Sequence, residues 1–393
     1  MIKKIKQLGR KFRIMILTIV TDYVSKSNMY TNGFVHAREK EYIRNNIDTK
    51  VFVLNDRKKR ETYEIEGVHV IVGNSKDLIE LIKNDTSINC VCFHFLSAKM
   101  VKAYKRFNRP VKAIAFVHGN EALWWYQRIF PDRFSGFVRI LKFIKYVILN
   151  SYNMIYMRNK LNKLDISLVF VSDWMKKQTI KNWNLKSNSN YYIIPNIVNN
   201  LIFPYREKSN EKKYNFLMIR QFTSGKYALD VAMDIIKELQ AYPENDKFKF
   251  TIIGDGWLFE KYTSRVSMFS NVEIKRTFLS QNDISKYHNE NGFFICPTRQ
   301  DAQGVSMCEA MSSGLIPISS NNTAIPEFLP EKYNLCFDNA KDSAKRIIEI
   351  INNETEFKKL SEECSKFIQE KCSSEKTTKK EIELMSSFSN LNV

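Results

Sequence analysis

Short apolar, β-branched runs alternate with amphipathic stretches along most of this chain, and that alternation leaves few folds open. "RIMILTIV", "TKVFVLN", "HVIVGN", "INCVCFHF", "KAIAFVHG", "DISLVFVS" and "NYYIIPN" occupy the first two hundred residues. Strands that alternate with helices in this way build a parallel sheet covered on both faces. After a polar, charged segment, "NLIFPYREKSNEKK", the pattern restarts with "YNFLMIR", "FKFTIIGDG", "NVEIKRT", "GFFICPT" and "LIPISS", separated by helical segments such as "YALDVAMDIIKELQAY". The chain is therefore expected to be α/β, with two Rossmann-like, doubly wound parallel-sheet domains facing across a cleft. Ligands bind such sheets at the carboxyl ends of the strands. At 393 residues and 44% hydrophobic content the chain can bury two cores. The expected division is 1–205 and 206–375, with a linker near 203–213. Residues 376–393 are expected to form a C-terminal helix or tail able to cross back to the first domain.

Several classes fit poorly. The start, "MIKKIKQLGRKFRIMILTIVTDY", places basic residues before apolar ones, but the apolar part is short and no small-residue cleavage site follows, so it reads as a first buried strand. No uncharged apolar run approaches the roughly 18–20 residues that span a bilayer. The chain is expected to be soluble or peripheral. Seven scattered cysteines, several within apolar runs, suit a reduced cytoplasm better than a disulfide framework. Cys90 and Cys92 follow strand alternation and lack zinc-knuckle spacing. The formal charge of +19 favours an anionic partner.

Residues 293–319 carry the chemistry most clearly. "GFFICP" reads as a buried strand, "TRQDAQ" as a loop and "GVSMCEAMSS" as a helix ended by Gly314. A helix that opens at Gly304 after a parallel strand presents unpaired amides and a positive dipole end, which is a seat for phosphate. Asp301 sits on the lip of that seat and Glu309 one and a half turns into the helix. By itself the D-x7-E spacing also suits a solvated loop acid followed by an ordinary helix acid.

The run "QDAQGVSMCEAMSSGLIPIS", followed by "AIPEFL", resembles the E-x7-E signature of retaining GT-B glycosyltransferases of family 4, the glycosyl transferases group 1. "GFVHARE", "FVHGNE", "VFVSDWMKK", "IIPNIV", "IRQFTSGKYA" and "IIGDG" resemble further segments of that family, in its order, over residues 13–335. The resemblance implies transfer of a sugar from a nucleotide-diphosphate donor, with UDP-sugars first and GDP-mannose second. The implied acceptor is a glycan or polyprenyl-linked oligosaccharide of bacterial capsule, O-antigen or lipopolysaccharide. It gives Glu309 the ribose hydroxyls, Arg220 and Lys226 the diphosphate, and Asp301, with Gln303, the donor sugar hydroxyls. His118 and Gly119 are implied beside the donor sugar, with His118 and Asp301 as the catalytic pair. The amides of Gly304, Val305 and Ser306 complete the phosphate seat, and Gly33 lies opposite it. No metal and no other cofactor is implied, because two cations and a helix terminus supply the charge. The chain departs from the family in having Asp301 for the usual Glu, Arg220 and Lys226 six positions apart, and Ile197 where Gly is usual.

Residues 124–163 place Arg139, Lys142 and Lys145 at every third position among Phe, Ile, Leu, Val and Tyr, followed by Arg158, Lys160 and Lys163. This basic amphipathic helix suits either the anionic inner face of a cell membrane or a core helix with a basic outer face. The N-terminal "KKIKQLGRK" adds to the same footprint. Two other classes compete with this reading. A nucleic-acid-binding protein fits the charge, but the basic residues share segments with aliphatic ones and form no RNA or DNA motif. A dinucleotide oxidoreductase would need G-x-G-x-x-G after the first strand, which "TIVTDYVSKSNMYTNG" lacks. An inactive sugar-binding relative is compatible with Asp301.

Overall fold

The computed structural model describes residues 14–26, 31–57, 59–132, 137–187, 190–333 and 335–387. The basic N-terminal stretch "KKIKQLGRK" lies outside them. Two sheets organise the chain. The first contains β1 (Met15–Val20), β2 (Asp48–Leu54), β3 (Glu61–Ile65), β4 (Val68–Gly73), β5 (Cys90–His94), β6 (Lys112–Val117), β7 (Ser167–Phe170) and β8 (Tyr191–Ile193). Their order is β3-β4-β2-β1-β5-β6-β7-β8, parallel throughout except for β3, which pairs antiparallel with β4. All five residues of β5 and the last five of β1 are buried. Burial on both faces explains why these strands read as continuous apolar runs instead of alternating. The helices α1 (Gly33–Arg44), α2 (Ser75–Asn84), α3 (Ala98–Tyr104), α4 (Phe137–Lys160) and α5 (Asp173–Trp183) connect them. Asn74 begins α2 with a capping box, and the Ser97 and Ser172 hydroxyls accept amides at the starts of α3 and α5.

The second sheet contains β9 (Asn215–Ile219), β10 (Lys249–Gly254), β11 (Val272–Arg276), β12 (Phe293–Ile295), β13 (Ile316–Ser320) and β14 (Cys336–Phe337), in the order β11-β10-β9-β12-β13-β14. All its pairings are parallel. It is joined by α6 (Leu229–Gln240), α7 (Phe259–Thr263), α8 (Gln281–Glu290), α9 (Val305–Ser312), α10 (Ala340–Ile351) and α11 (Glu354–Cys372), and α12 (Ser374–Ser387) ends the chain. In both sheets the first strand has its next neighbour in sequence on one side and a later strand on the other. The order thus reverses between β1 and β5, and between β9 and β12. Loops diverge at such switch points and leave a crevice beyond the carboxyl ends of the strands.

By packing, the chain divides into one unit of Met1–Trp124, Ile148–Ile197 and Ser374–Val393, and another of Trp125–Val147 and Val198–Ser373. This differs from a single cut near 203–213. Residues 125–147 group with the second unit because their polar groups are tied into it. Gln300 donates to the Gln127 carbonyl at 2.9 Å, and Lys261 and Tyr262 both reach the Asp132 carboxylate. The chain crosses between units again at 197/198 and 373/374, where Val198 donates its amide to the Cys372 carbonyl at 2.8 Å.

Candidate functional site

Eight of the residues singled out in the sequence converge beyond β9 and β12, the two strands at the switch point of the second sheet. Arg220 directly follows β9 and is 9% exposed. Its guanidinium donates to the Ser306 hydroxyl at 2.8 Å and to the Cys296 carbonyl at 2.9 Å, which fixes it between the end of β12 and the start of α9. Lys226 stands in a tight 3-10 turn, and its Nζ lies 4.0 Å from Asp301 Oδ2. Gly304, at φ +75°, is the residue before α9, and no side chain caps the helix there. The Gly304 amide turns to the Asp301 carboxylate, and those of Val305 and Ser306 lead the helix without a side-chain cap. Two cations and a helix N-terminus on one side of one crevice make a strongly anion-attracting site.

The two acids have different environments. Burial pushes the Asp301 carboxyl up, but the charges of Lys226 and Arg220 and the amides of Gly304 and Gln303 outweigh it and hold the group below its usual range. Asp301 is ionised at neutral pH. Its Oδ1 accepts the Gln303 amide at 3.3 Å, and its own amide donates to the Thr323 hydroxyl at 3.0 Å, so the lip of the loop is fixed. The Gln303 side chain is buried. Glu309 is half-buried on α9, and burial alone pushes its carboxyl up to about 8.

In the first unit, Gly33 opens α1 after β1, with nothing within 4 Å of where a Cβ would stand. His118 and Gly119 follow β6, with Gly119 at φ +134°. His118 Nε2 lies 2.9 Å from Nδ1 of His94, the last residue of β5, and Phe34 and Phe95 each bring a ring centroid to 4.8 Å from the His118 ring. Burial and the Arg38 charge push His118 well below its ordinary value, against a smaller opposite effect of Asn196, so the ring is neutral at neutral pH.

Some contributors escaped the sequence reading. Glu121, three residues past His118, accepts the amides of both His118 and Gly119, at 2.7 and 3.0 Å, and so holds that turn open. Arg299 makes a two-pronged pair with Asp230 at 2.9 and 2.5 Å, donates to the Gly225 carbonyl at 2.9 Å, and gives its amide to the Lys226 carbonyl at 2.8 Å. It braces the turn that carries Lys226. A side chain in that role, 69 residues from its partner carboxylate, leaves no local pattern to find. Arg139, Lys142 and Lys145 all lie on α4. Arg139 stacks over the Trp257 ring, and Arg139 and Lys142 line a cavity of about 260 Å³ together with Thr223, Ser224 and Gly225. Among the described residues no cluster of three or more His, Cys, Asp or Glu side chains could hold a metal ion. No helix among them is long and apolar enough to cross a membrane.

Residues 202–371 match the family Glycosyl transferases group 1. An uncharacterized glycosyltransferase of Methanocaldococcus jannaschii is 29% identical over 217 residues, covering 52% of this chain and 56% of its own. The chain thus spans about half the length of the curated relative it matches. Among solved structures, sucrose-phosphate synthase from Thermosynechococcus elongatus superposes with a TM-score of 0.69 at 12% identity, over 96% of this chain and 99% of that one. A glycosyltransferase from Rickettsia africae gives 0.69 at 17% identity, over 97% and 100%. The Anabaena protein HepE, in complex with UDP and glucose, gives 0.68 at 12%, over 95% and 100%. At such identities the likeness is one of fold, and the fold is GT-B.

Proposed function

We propose that the chain is a retaining glycosyltransferase of family 4 that moves a hexosyl or N-acetylhexosaminyl group from a nucleotide-diphosphate sugar. The observation that carries this reading is the convergence of Arg220, Lys226, the first amides of α9, and both acids beyond one pair of parallel strands. The group 1 domain and the name of the curated relative support it. Arg220, Lys226 and the helix amides hold the diphosphate and stabilise the charge that develops on it as it leaves, without a metal or other cofactor. Glu309 accepts the two ribose hydroxyls. Asp301 and Gln303 orient the donor sugar, and His118, Gly119 and Gly33 keep the donor-side roles that the resemblance implies for them. An acceptor hydroxyl attacks the anomeric carbon on the face from which the diphosphate departs. The electron pair of the broken C–O bond passes to the departing phosphate oxygen, which also receives the hydroxyl proton.

UDP is the preferred base, as in the HepE complex, with GDP-mannose as the second choice. The acceptor is a glycan or polyprenyl-linked saccharide of a bacterial capsule or lipopolysaccharide, and the exposed Lys142 and Lys145 place the protein at the anionic inner face of the cell membrane, whereas Arg139 is taken up by Trp257. Thermal-shift measurements with UDP, GDP, ADP and CMP test the donor site. A UDP shift that Glu309→Ala abolishes is expected. Stabilisation by none of the four, or an equal response of the variant, removes the ribose role. Asp301→Asn should keep the shift and lose turnover of the donor.

A further inference from the structure

Helix α4 is apolar on two opposite sides. Met154 and Met157 are buried on one of them, beside Asn150, whose side-chain amide donates to the Leu123 carbonyl at 3.0 Å. On the other, Ile140, Leu141, Ile144, Ile148, Tyr152 and Ile155 are 40–63% exposed. At 100° per residue these six fall within about 120° of the helix circumference and run for roughly 22 Å along its axis. One apolar face explains packing into a core. The second has no core to serve, and contiguous exposed apolar surface of this extent marks an interaction site.

The charges around the stripe choose its occupant. Residues 137–163 include six basic side chains, Arg139, Lys142, Lys145, Arg158, Lys160 and Lys163, and no acid. Lys142, Lys145 and Arg158 are exposed, and on the helical wheel Lys145 lies just past one border of the stripe, Lys142 about 60° further round, and Arg158 on the other border. A second copy of this chain would bring the same six positive charges against them. A nucleic acid would meet aliphatic side chains along the middle of the face. A bilayer surface with anionic headgroups satisfies both features, because acyl chains take the isoleucines while headgroup phosphates meet the lysines. We infer that α4 is an interfacial membrane helix that lies along an anionic lipid surface on its Leu141–Ile144–Ile148–Tyr152–Ile155 side. The inference deepens the membrane location proposed for the transfer and takes its biological role from that reading, but binding can be tested without it.

The test is flotation of the full chain with vesicles of phosphatidylcholine alone or with 30 mol% phosphatidylglycerol, at low and at 0.5 M salt. The protein should float with the anionic vesicles, less so at high salt. Ile144→Glu/Ile148→Glu should lower partitioning at least tenfold while keeping the wild-type circular dichroism, and Lys142→Glu/Lys145→Glu should remove the preference for the anionic lipid. Because all four positions are exposed, misfolding does not account for such losses. Absence of wild-type binding, or wild-type binding by the isoleucine variant, overturns the inference. So does a dimer in light scattering that the isoleucine variant converts to monomer, which would assign the face to a second copy. The UDP thermal shift, read in parallel, reports on the donor site separately: vesicle binding with no shift leaves the helix assignment standing and removes the transferase reading.

Discussion

Asp301 and Glu309 stand eight residues apart on one loop and helix, and their environments move them in opposite directions. The cations hold Asp301 below its usual range, whereas burial pushes Glu309 up to about 8. The linkage follows from the second shift. In the free protein Glu309 keeps its proton from its ordinary value of 4.5 up to about 8, while the unfolded chain has lost it, so this group's contribution to stability falls as pH rises through that window. Ribose hydroxyls donate to an ionised carboxylate better than to a neutral one. UDP binding should therefore release a proton and tighten as pH rises from about 6 to 8, then level off. Titration calorimetry in two buffers of different ionisation enthalpy measures that proton. Glu309→Gln should remove the Glu309 part of the release and flatten the affinity profile; an unchanged profile in the variant would mean that the carboxyl does not meet the nucleotide. The spacing of the acids and the glycine between them were readable from the sequence. Their opposite titration was not, because the groups that separate them, Arg220 and Lys226, come from a loop some 75–80 residues earlier.

At the scale of elements, glycines in the loops do more for close packing than for ligand contact. A Cβ at Gly254 would fall 1.9 Å from the Arg220 carbonyl, and one at Gly256 2.3 Å from the Phe222 carbonyl. The GDG motif thus serves to back the arginine loop. Gly225 is similarly placed, with an added Cβ 2.4 Å from the Pro131 carbonyl. Backbone on both sides leaves no flexible side chain to yield. Gly225→Ala should cost about 1–3 kcal/mol as an overpacking change, and it should displace Lys226 enough to weaken UDP binding at least tenfold. Urea melts and titration calorimetry would show both effects, and wild-type UDP affinity in a destabilised variant would separate the turn from phosphate binding. The major strands could be read from composition because burial on both faces makes them continuous apolar runs. β3 could not, since "ETYEI" is a half-exposed antiparallel edge with charges on its outer positions, and β14 is only two residues long. Helix α4 was ambiguous for a physical reason: with apolar residues on its exposed as well as its buried side, composition cannot tell a core face from an interfacial one.

At the scale of the whole molecule, the restart of the strand pattern made two α/β units predictable, but composition did not show that residues 125–147 group with the second of them. The C-terminal helix α12 is grouped with the first unit, and Leu384 and Met385 join its core beside Ile14 and Ile16. Its anchor is electrostatic. Glu381, fully buried, accepts Arg38 Nε at 2.9 Å and the Tyr42 hydroxyl at 2.7 Å, while Arg38 also donates to Asn196 Oδ1 at 3.1 Å. A pair 343 residues apart has no signature in a single sequence. Removing one member leaves a buried guanidinium without its counter-charge, so Glu381→Ala should cost about 3–5 kcal/mol, whereas Arg38→Met/Glu381→Leu, which removes both charges, should recover most of that loss. Calorimetry with and without UDP locates the effect. The loss should fall on the unfolding of the first unit, with UDP still stabilising the second, because Arg220, Lys226 and Glu309 are untouched. A single variant that melts like the wild type would show that α12 is held by its apolar contacts alone. If instead the double variant is no more stable than the single one, the geometry of the pair, rather than burial of an unmatched charge, holds the terminal helix in place.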